Sequence, residues 1–504
     1  MPSERRLHPL SFLFQVGGQL QQLIVPALVV LVGAGSAGVD WQPWMMLLIV
    51  PYAAAALLRS LSFRYRFDDT ELVVTKGFVF RSERHIPYTR IHNIDAVQNV
   101  FHRLAHVVEV RIETGGGAEA EAVMRVLPDG ALEEMRAQVL ARRGASLPAA
   151  AAASPEAPAR RIVLRLRPRD LLLAGFVESR GLVIVSAAFG LLWELGLFDR
   201  TMDMVFGKDV SSRGLVRDVV RGLFGGGMPA MGAVAFAAAA FAAVLLGMRV
   251  LSMAWSLLRL HGFQLDRAGD DLRAEFGLFT RVMTTIPLQR IQTLTIREGL
   301  LHRLFGLASV RVDSAGSDAR RQAGAQVRRE SLAPVVRLRE LPQLLHEVLP
   351  DVDVSAVAWQ PVDPRSVRRA FVVSFVFYSI LTLPFVVMLR WWTLALLVIV
   401  ASWSLVNARL YVRHLGWALA DRAVLFRSGW MARQVTVARF AKIQVVSLVE
   451  SPFDRRAGMA SVRVDTAGAA NLSHRVNIPY LSRALAGRLY SALARQASQT
   501  AFRW

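Results

Sequence analysis

The stretch GLFTRVMTTIPLQRI at residues 277–291 has two counterparts elsewhere in this chain of 504 residues. Residues 77–91 read GFVFRSERHIPYTRI and residues 429–443 read GWMARQVTVARFAKI, so the three copies keep one spacing without a gap. Each copy follows a pair of long apolar stretches. Recurrence at a fixed register indicates internal duplication, and we interpret the chain as three modules, each a membrane hairpin followed by a domain outside the bilayer.

Four basic positions recur in each copy, 4, 13, 26 and 34 residues after the glycine that begins the stretch. We take them as candidate binding residues, because a cation near an anionic leaflet contributes about 1 kcal/mol of attraction. The alternative is that they pair with carboxylates such as Glu113, Asp313 and Asp465 and stabilise the fold. The candidates are Arg81, Arg90, Arg103, Arg111, Arg281, Arg290, Arg303, Arg311, Arg433, Lys442, Arg455 and Arg463.

Composition favours a membrane protein. A net charge of +21 accompanies 53 % apolar residues, a combination typical of a chain with its apolar residues in lipid and its arginines at one face of the bilayer. The basic residues are thus interpreted as membrane-flanking, and no nucleic acid is expected as a partner. The chain has no cysteine, which excludes disulfides, thiolate metal sites and cysteine catalysis.

Six apolar stretches approach the length of about 20 residues that a transmembrane helix needs. They are predicted at residues 20–37, 43–60, 182–198, 228–251, 370–389 and 391–410. Because each copy follows two crossings, all three soluble domains and the N-terminus lie on one side of the membrane. Arginines flank the spans on that side, so the positive-inside rule predicts a bacterial cytoplasmic (inner) membrane protein with cytoplasmic domains.

Two further segments are interpreted from the same pattern. The apolar start of the chain is predicted to be an uncleaved first membrane segment, since it lacks a small-residue cleavage site. The second hairpin has a long external turn at residues 199–227, in which residues 212–224 are read as a short amphipathic helix or as a solvated loop. A proline precedes each hairpin, at Pro9, Pro168 and Pro364, where it suits the first turn of a helix.

The soluble repeat reads as strands followed by a helix. In the first copy, strands are predicted at residues 63–67, 72–76, 78–86, 91–97, 107–114 and 122–127. Closing helices are predicted at residues 131–142, 336–348 and 482–496. The resulting domain bounds are 1–62 (entry segment and hairpin 1), 63–144 (domain 1), 145–161 (Ala/Pro linker), 162–259 (hairpin 2), 260–350 (domain 2), 351–412 (hairpin 3) and 413–504 (domain 3).

The repeat resembles the bacterial pleckstrin-homology-like (PH-like) domain of YdbT-type multi-pass membrane proteins. The resemblance rests on the openings Tyr65-Arg66-Phe67 and Phe263-Gln264-Leu265, the Gly-x-x-x-Arg step, the Ile-Pro-x-x-Arg-Ile segments and the Val-Arg-Val-acidic strand. The third copy departs from it, with Ala438 and Arg439 in place of Ile-Pro. The implied fold is an α+β membrane protein with six transmembrane helices in three hairpins, each followed by a PH-like antiparallel β-barrel or sandwich with a C-terminal helix.

No catalytic constellation emerges from the sequence. The glycines at 115–117 lack a following Lys-Ser/Thr, so they indicate a turn rather than a phosphate loop. His102 and His106 have a spacing of four, but no adjacent glutamate fits a zincin, and His106 does not recur. We expect no enzyme activity, no cofactor and no metal.

The function that these observations predict is a non-enzymatic platform presenting three cytoplasmic PH-like domains. Its expected partners are membrane lipids, through anionic headgroups, and another membrane or cytoplasmic protein, in a homo- or hetero-oligomer. The physiological setting would be envelope stress or antimicrobial tolerance. The alternative is a transporter or channel component, which would usually carry ionisable groups at mid-membrane depth.

Overall fold

The computed structural model describes residues 5–6, 64–68, 70–76, 81–88, 91–114, 122–128, 130, 135, 161–178, 230–314, 331–389, 393–466 and 476–499. The predicted spans at 20–37, 43–60 and 182–198, residues 145–160 of the linker and the external turn at 199–227 lie outside these residues. The described chain divides into two compact units. One comprises residues 165–263 with 276–278 and holds the described part of hairpin 2, and the other holds the remaining residues.

The order of elements repeats along the chain. The first repeat contains β1 (Arg5–Arg6), β2 (Arg64–Phe67), β3 (Glu71–Lys76), β4 (Ser82–Pro87), β5 (Ile91–Asn99), α1 (Val100–Leu104), β6 (Val107–Thr114) and β7 (Ala122–Pro128). The second contains β8 (Arg161–Arg165), α2 (Pro168–Val177), α3 (Ala230–Arg259), β9 (Gln264–Ala268), β10 (Asp271–Phe276), β11 (Thr280–Pro287), β12 (Ile291–Glu298), α4 (Leu300–Leu304), β13 (Leu307–Ser314), β14 (Ser331–Arg337) and α5 (Leu341–Val348). The third contains α6 (Ser366–Leu389), α7 (Thr393–His414), β15 (Gly416–Leu419), β16 (Ala423–Ser428), β17 (Arg433–Arg439), β18 (Ile443–Val449), α8 (Pro452–Ala457), β19 (Met459–Thr466), β20 (Val476–Ser482) and α9 (Arg483–Gln499).

The strands predicted in the first copy form within a few residues of their expected bounds where the structure describes them. The helix predicted at 336–348 begins later, at Leu341, because the chain up to Arg337 belongs to β14 and Pro342 suits a first helical turn. The last helix is longer than predicted and continues to Gln499. Most of the helix predicted at 131–142 lies outside the described residues.

Two described helices are long and apolar enough to cross a bilayer, over Ala242–Arg259 in α3 and Leu394–His414 in α7. Helix α6 also forms, so the third predicted hairpin consists of two helices. The prediction of six transmembrane helices is not confirmed, since three of the spans lie outside the part of the chain that the structure describes.

Neighbouring repeats share β-sheets, which the prediction of separate barrels did not include. The first sheet has the order β1-β2-β3-β4, and the second has the order β7-β6-β5-β11-β10-β9-β8. The third has the order β14-β13-β12-β17-β16-β15, and the last is β18-β19-β20. Each repeat therefore contributes strands to two antiparallel sheets, and strand pairs β5–β11 and β12–β17 join one repeat to the next.

Short entry segments add strands ahead of the hairpins. β1 pairs with β2, with Arg5 opposite Tyr65, and β8 is the neighbour of β9. In the third repeat the corresponding segment makes a single bridge, between Gln360 and Trp417. The chain thus pairs with strands of each folded domain ahead of the segment that is predicted to form its membrane hairpin.

The recurrent glycine is explained by backbone geometry. Gly277 and Gly429 have φ of +115° and +79°, values that side chains disfavour. At Gly429, which precedes β17, an added Cβ would also collide with the carbonyl oxygen of Ala432. The glycine therefore marks the turn into the strand that pairs with the preceding repeat.

In the unit that contains hairpin 2, helices α2 and α3 pack closely. Ser252 Oγ donates a hydrogen bond to the carbonyl of Gly175 at 2.7 Å, and Ser256 Oγ donates to that of Leu171 at 2.9 Å. A Cβ on Gly175 would lie 2.6 Å from Met253 Cα. Small residues and hydroxyl donors of this kind are typical of helix contacts in membranes.

Candidate functional site

The first recurrent arginine lies where one repeat meets the next. Arg281 stands opposite Gln98 in the β11–β5 pair and also forms an ion pair with Glu275. Arg433 stands opposite Glu298 in the β17–β12 pair. Arg81, which is exposed, directly precedes β4. In the two described junctions this position thus belongs to the contact between repeats.

The two junctions have the same register. Copies 1 and 2 are offset by 200 residues in the sequence, and copies 2 and 3 by 152 residues. With these offsets Ala96 corresponds to Ile296 and Met283 to Val435, and both pairs are directly opposed in their junctions. Beside the first pair, Thr284 Oγ1 donates to Asp95 Oδ1 at 3.1 Å, with both residues buried. Because different side chains occupy equivalent places, backbone pairing must contribute much of what fixes the joint.

The second recurrent basic position varies in its surroundings. Arg90 lies outside the described residues, and Arg290 is half-buried at the end of a short 3₁₀ turn. Lys442 ends the equivalent turn in the third repeat but is only 3 % exposed. A buried lysine cannot reach a headgroup, so Lys442 is left out of the surface proposed below.

The fourth basic position lies in the middle of a strand, β6, β13 or β19, and the first two of these strands neighbour a junction strand. Arg111 is opposite Asp95, Arg311 is opposite Thr295, and Arg463 is opposite Ser447. Cross-strand neighbours share one face of a sheet. In the first repeat the strand register sets position 111 opposite Asp95, which is 6 % exposed.

The third basic position lies on the short helices α1, α4 and α8, beside exposed apolar side chains. Leu104 is 76 % exposed next to Arg103, and Leu304 is 75 % exposed next to Arg303. In the third repeat Phe453 is 68 % exposed near Arg455. We call α1, α4 and α8 the short-helix surface. It combines apolar and cationic groups in every repeat.

The turn before β17 contacts the third membrane hairpin. Trp430 Nε1 donates to Asn407 Oδ1 of α7 at 2.8 Å, and the Trp430 and Trp403 ring centroids are 6.4 Å apart. Asn407 Nδ2 in turn donates to Ser374 Oγ of α6 at 3.2 Å. Arg303 of α4 donates to the Trp430 carbonyl at 3.1 Å. These contacts link α4 of the second repeat to the hairpin of the third.

Helix α8 contacts the start of the same hairpin. Arg369 Nε of α6 lies 2.9 Å from Asp454 Oδ1, and Arg369 Nη2 donates to Ser451 Oγ at 3.1 Å. The guanidinium also lies 5.9 Å from the centre of the Phe453 ring. Asp454 stands where the other copies have His102 and His302, and its ion pair accounts for that difference.

His102 of α1 is buried, and its backbone N–H donates to the Asn99 side chain at 2.7 Å. Burial lowers the pKa of the His102 imidazole, while the Glu109 carboxylate acts in the opposite direction. Among the residues that the structure describes, no group of three or more His, Asp or Glu side chains could hold a metal ion.

The shared sheets, the repeated short helices and the attached apolar hairpin define a tandem of PH-like domains on membrane helices. A family model described as "Bacterial PH domain" matches residues 20–143, 219–350 and 371–497. These matches cover more than half of the chain, and the chain belongs to the bacterial PH domain family.

A known relative agrees with this assignment. Over 489 residues the chain is 23 % identical to the "UPF0699 transmembrane protein YdbT" of Bacillus subtilis (strain 168), with 94 % of each chain covered. No solved structure matches the chain. The protein is therefore a YdbT-like transmembrane protein with three bacterial PH domains.

Sequence reasoning missed Asp95, Arg369, Asn407 and Trp430. Asn407 and Arg369 offered a signal, since both are polar residues within or at the start of predicted spans. Asp95 and Trp430 offered none, because their partners are 189 and 23 residues away in the sequence.

Proposed function

We propose that this protein is a non-catalytic platform of the bacterial inner membrane, with its three PH-like domains at the cytoplasmic face. The short-helix surface contacts anionic lipid headgroups, and the joined domains bind a partner protein. Envelope stress or antimicrobial tolerance is the setting in which we place this role.

The observation that carries the proposal is the repetition of the short-helix surface. Its apolar side chains are exposed in all three repeats, although burying a leucine or phenylalanine would gain about 1.5–3 kcal/mol. Arginine and an apolar side chain together suit the boundary between headgroups and acyl chains. Three such contacts on one chain would add to the anchoring given by the hairpins.

Contacts with the third hairpin support this orientation. Arg303 of α4 reaches Trp430, which is bonded to Asn407, seven residues before the end of α7. Tryptophan is enriched at membrane interfaces. Helix α8 is held beside the first turn of α6 by Arg369. Both helices thus lie near segments that enter or leave the predicted bilayer.

The polar groups in the described spans favour a platform over a transporter. Arg249, Ser252 and Ser256 of α3 donate to backbone carbonyls of α2, and Asn407 bonds Ser374 across the α6–α7 hairpin. These side chains serve helix packing. In liposomes loaded with ions or dyes we therefore expect no flux above that of empty vesicles, and a saturable flux would reverse this preference.

Depth measurement tests the lipid contact. Because the chain has no cysteine, L104C and L304C can each carry one environment-sensitive dye in the full-length protein in nanodiscs. Lipids with spin labels at the headgroup should quench both dyes strongly and a dye at Y490C on α9 weakly. Quenching should increase when phosphatidylglycerol replaces phosphatidylcholine.

The charge dependence should come from the arginines. We expect R103A to reduce the phosphatidylglycerol effect at position 104, while R488A, on α9, leaves it unchanged. Equal and weak quenching at positions 104, 304 and 490 would show that the short-helix surface faces water or protein, and the lipid part of the proposal would be wrong.

A further inference from the structure

In the part of the chain that the structure describes, strands β4 and β18 lie at the ends of their sheets, although their counterparts in the other repeats are paired on both sides. β4 ends the first sheet, whereas the equivalent strands β11 and β17 each pair with the preceding repeat. β18 ends the last sheet, whereas β5 and β12 each pair with the following repeat. Among the described strands, the repeated joint therefore has only one of its two halves at each end of the tandem.

The β18 end exposes apolar side chains that its counterpart buries. Val445 is 53 % and Leu448 is 40 % exposed, whereas the equivalent Thr293 and Ile296 of β12 are 2 % and 5 % exposed. Helix α9 packs on the inner side of β18, where Val446 contacts the core. An uncharged apolar end strand is a template for pairing with another chain.

The other end strand, β4, carries charged side chains where β18 carries apolar ones. Residues 83–85 are Glu-Arg-His and are exposed. The equivalent residues are Met-Thr-Thr in β11 and Val-Thr-Val in β17, the strands that do form joints. In the common register, Glu83 would face Leu448 and Arg84 would face Ser447. Glu83 lies 3.8 Å from Arg66 Nη2 and His85 Nδ1 lies 2.7 Å from Glu71 Oε1, so these side chains keep their charges at the strand surface. Removing them from water in a joint is unfavourable, and charged end strands prevent pairing.

We infer that β18 is the docking site for a strand of a PH-like domain on another polypeptide, and that β4 is built to keep a second copy of this chain out. The docking strand pairs antiparallel in the register of the two internal joints and carries apolar or hydroxyl side chains where β11 has Met283, Thr284 and Thr285. Complementary ends on one chain would otherwise give open filaments. This inference rests on the partner-binding part of the proposed function, but not on lipid contact.

A strand with the right chemistry can be made in the chain itself. The donor is the full-length protein with E83C, R84T and H85T, and with V445K and L448K to block its own β18. The acceptor is the full-length protein with L448C and a different affinity tag. Opposed residues of an antiparallel pair lie about 4.5–5.5 Å apart at Cα, a distance that a disulfide spans.

Mild oxidation of the two proteins in mixed-detergent micelles should give a donor–acceptor disulfide. We expect at least a tenfold lower yield when the acceptor carries V445C, on the opposite face of β18. A tenfold lower yield is also expected when the donor keeps Arg84 and His85. A second readout does not depend on a disulfide. In an acceptor that keeps Leu448, the amide hydrogen exchange of residues 443–449 should slow when the donor is added.

Two results would overturn the inference. If a donor that elutes as a folded protein gives neither the disulfide nor slower exchange, β18 does not accept a strand. If the donor that keeps Arg84 and His85 crosslinks equally well, then a second copy of this chain is the occupant. The depth measurement of the short-helix surface is unaffected by either result, so failure of this inference is distinguishable from failure of the lipid proposal.

Discussion

Among single residues, His102 connects burial to pH. Burial lowers its pKa, so the folded domain favours the neutral imidazole. The stability that the neutral His102 imidazole contributes is fully present above the unfolded pKa of about 6.5. It is lost as the pH falls through the pKa of the folded state, which is lower. We expect acidification from about pH 7.5 to about 5.5 to lower the thermal unfolding midpoint of the protein in nanodiscs.

The variant H102N should lose less stability on acidification than the wild type, because it has no imidazole to protonate. H106N is the matched control, since His106 has a positive φ of 51° that asparagine tolerates. An equal loss in H102N and the wild type would assign the pH dependence to other groups.

Arg369 is one of the residues that link domain 3 to its hairpin. Its partner Asp454 is buried, so R369A should leave a carboxylate without its charged partner and destabilise domain 3 by about 2 kcal/mol. Limited proteolysis of the protein in nanodiscs should show faster cleavage in residues 451–466 for R369A. The neighbouring exposed Arg368 provides the control, and R368A should cleave at the wild-type rate. Equal cleavage of both variants would contradict the role given to Arg369.

At the scale of elements, the α2–α3 contact depends on a glycine. A side chain at Gly175 would meet Met253 and Ser252 backbone atoms at 2.6 Å. We expect G175V to destabilise hairpin 2 by about 1–3 kcal/mol through overpacking. G247V on α3 is the control, because no atom lies within 4 Å of the equivalent Cβ position there. Thermal aggregation in detergent measures both, and equal midpoints would show that α2 and α3 are not in this contact.

The elements themselves were largely predictable from sequence, since alternation and turn residues are local signals. The glycine of the Gly-x-x-x-Arg step was visible because a turn with positive φ requires it at Gly277 and Gly429. The sharing of β-sheets between repeats was not predictable from the sequence. Ile-Gln-Val-Val-Ser-Leu-Val in β18 reads as a strand just as Ile-Gln-Thr-Leu-Thr-Ile-Arg does in β12, yet one ends a sheet and the other lies within one.

The candidate site was only partly predictable for the same reason. Recurrence located twelve basic positions but could not separate Lys442, which is buried, from Arg103, which is exposed. Nor could it show that Arg281 and Arg433 lie at joints between repeats. Burial and strand pairing depend on residues far apart in the chain, and a single sequence does not record them.

At the scale of the whole molecule, strand pairing couples the three domains. A joint made of backbone hydrogen bonds tolerates different side chains, which explains how Asp95–Thr284 and Thr295–Thr436 occupy equivalent places. Antiparallel pairing also fixes the orientation of one domain against the next. Any surface that one domain presents is therefore held together with those of its neighbours.

The measurement that tests this account most directly is a disulfide across an internal joint. In the cysteine-free chain, I296C and V435C are directly opposed in the β12–β17 pair. We expect them to form a disulfide within one polypeptide in the membrane under mild oxidation, whereas I296C with T436C, on the opposite face, should not. Failure of the first pair, or equal crosslinking of both, would show that the repeats are not joined in this register, and the account of a continuous platform would be wrong.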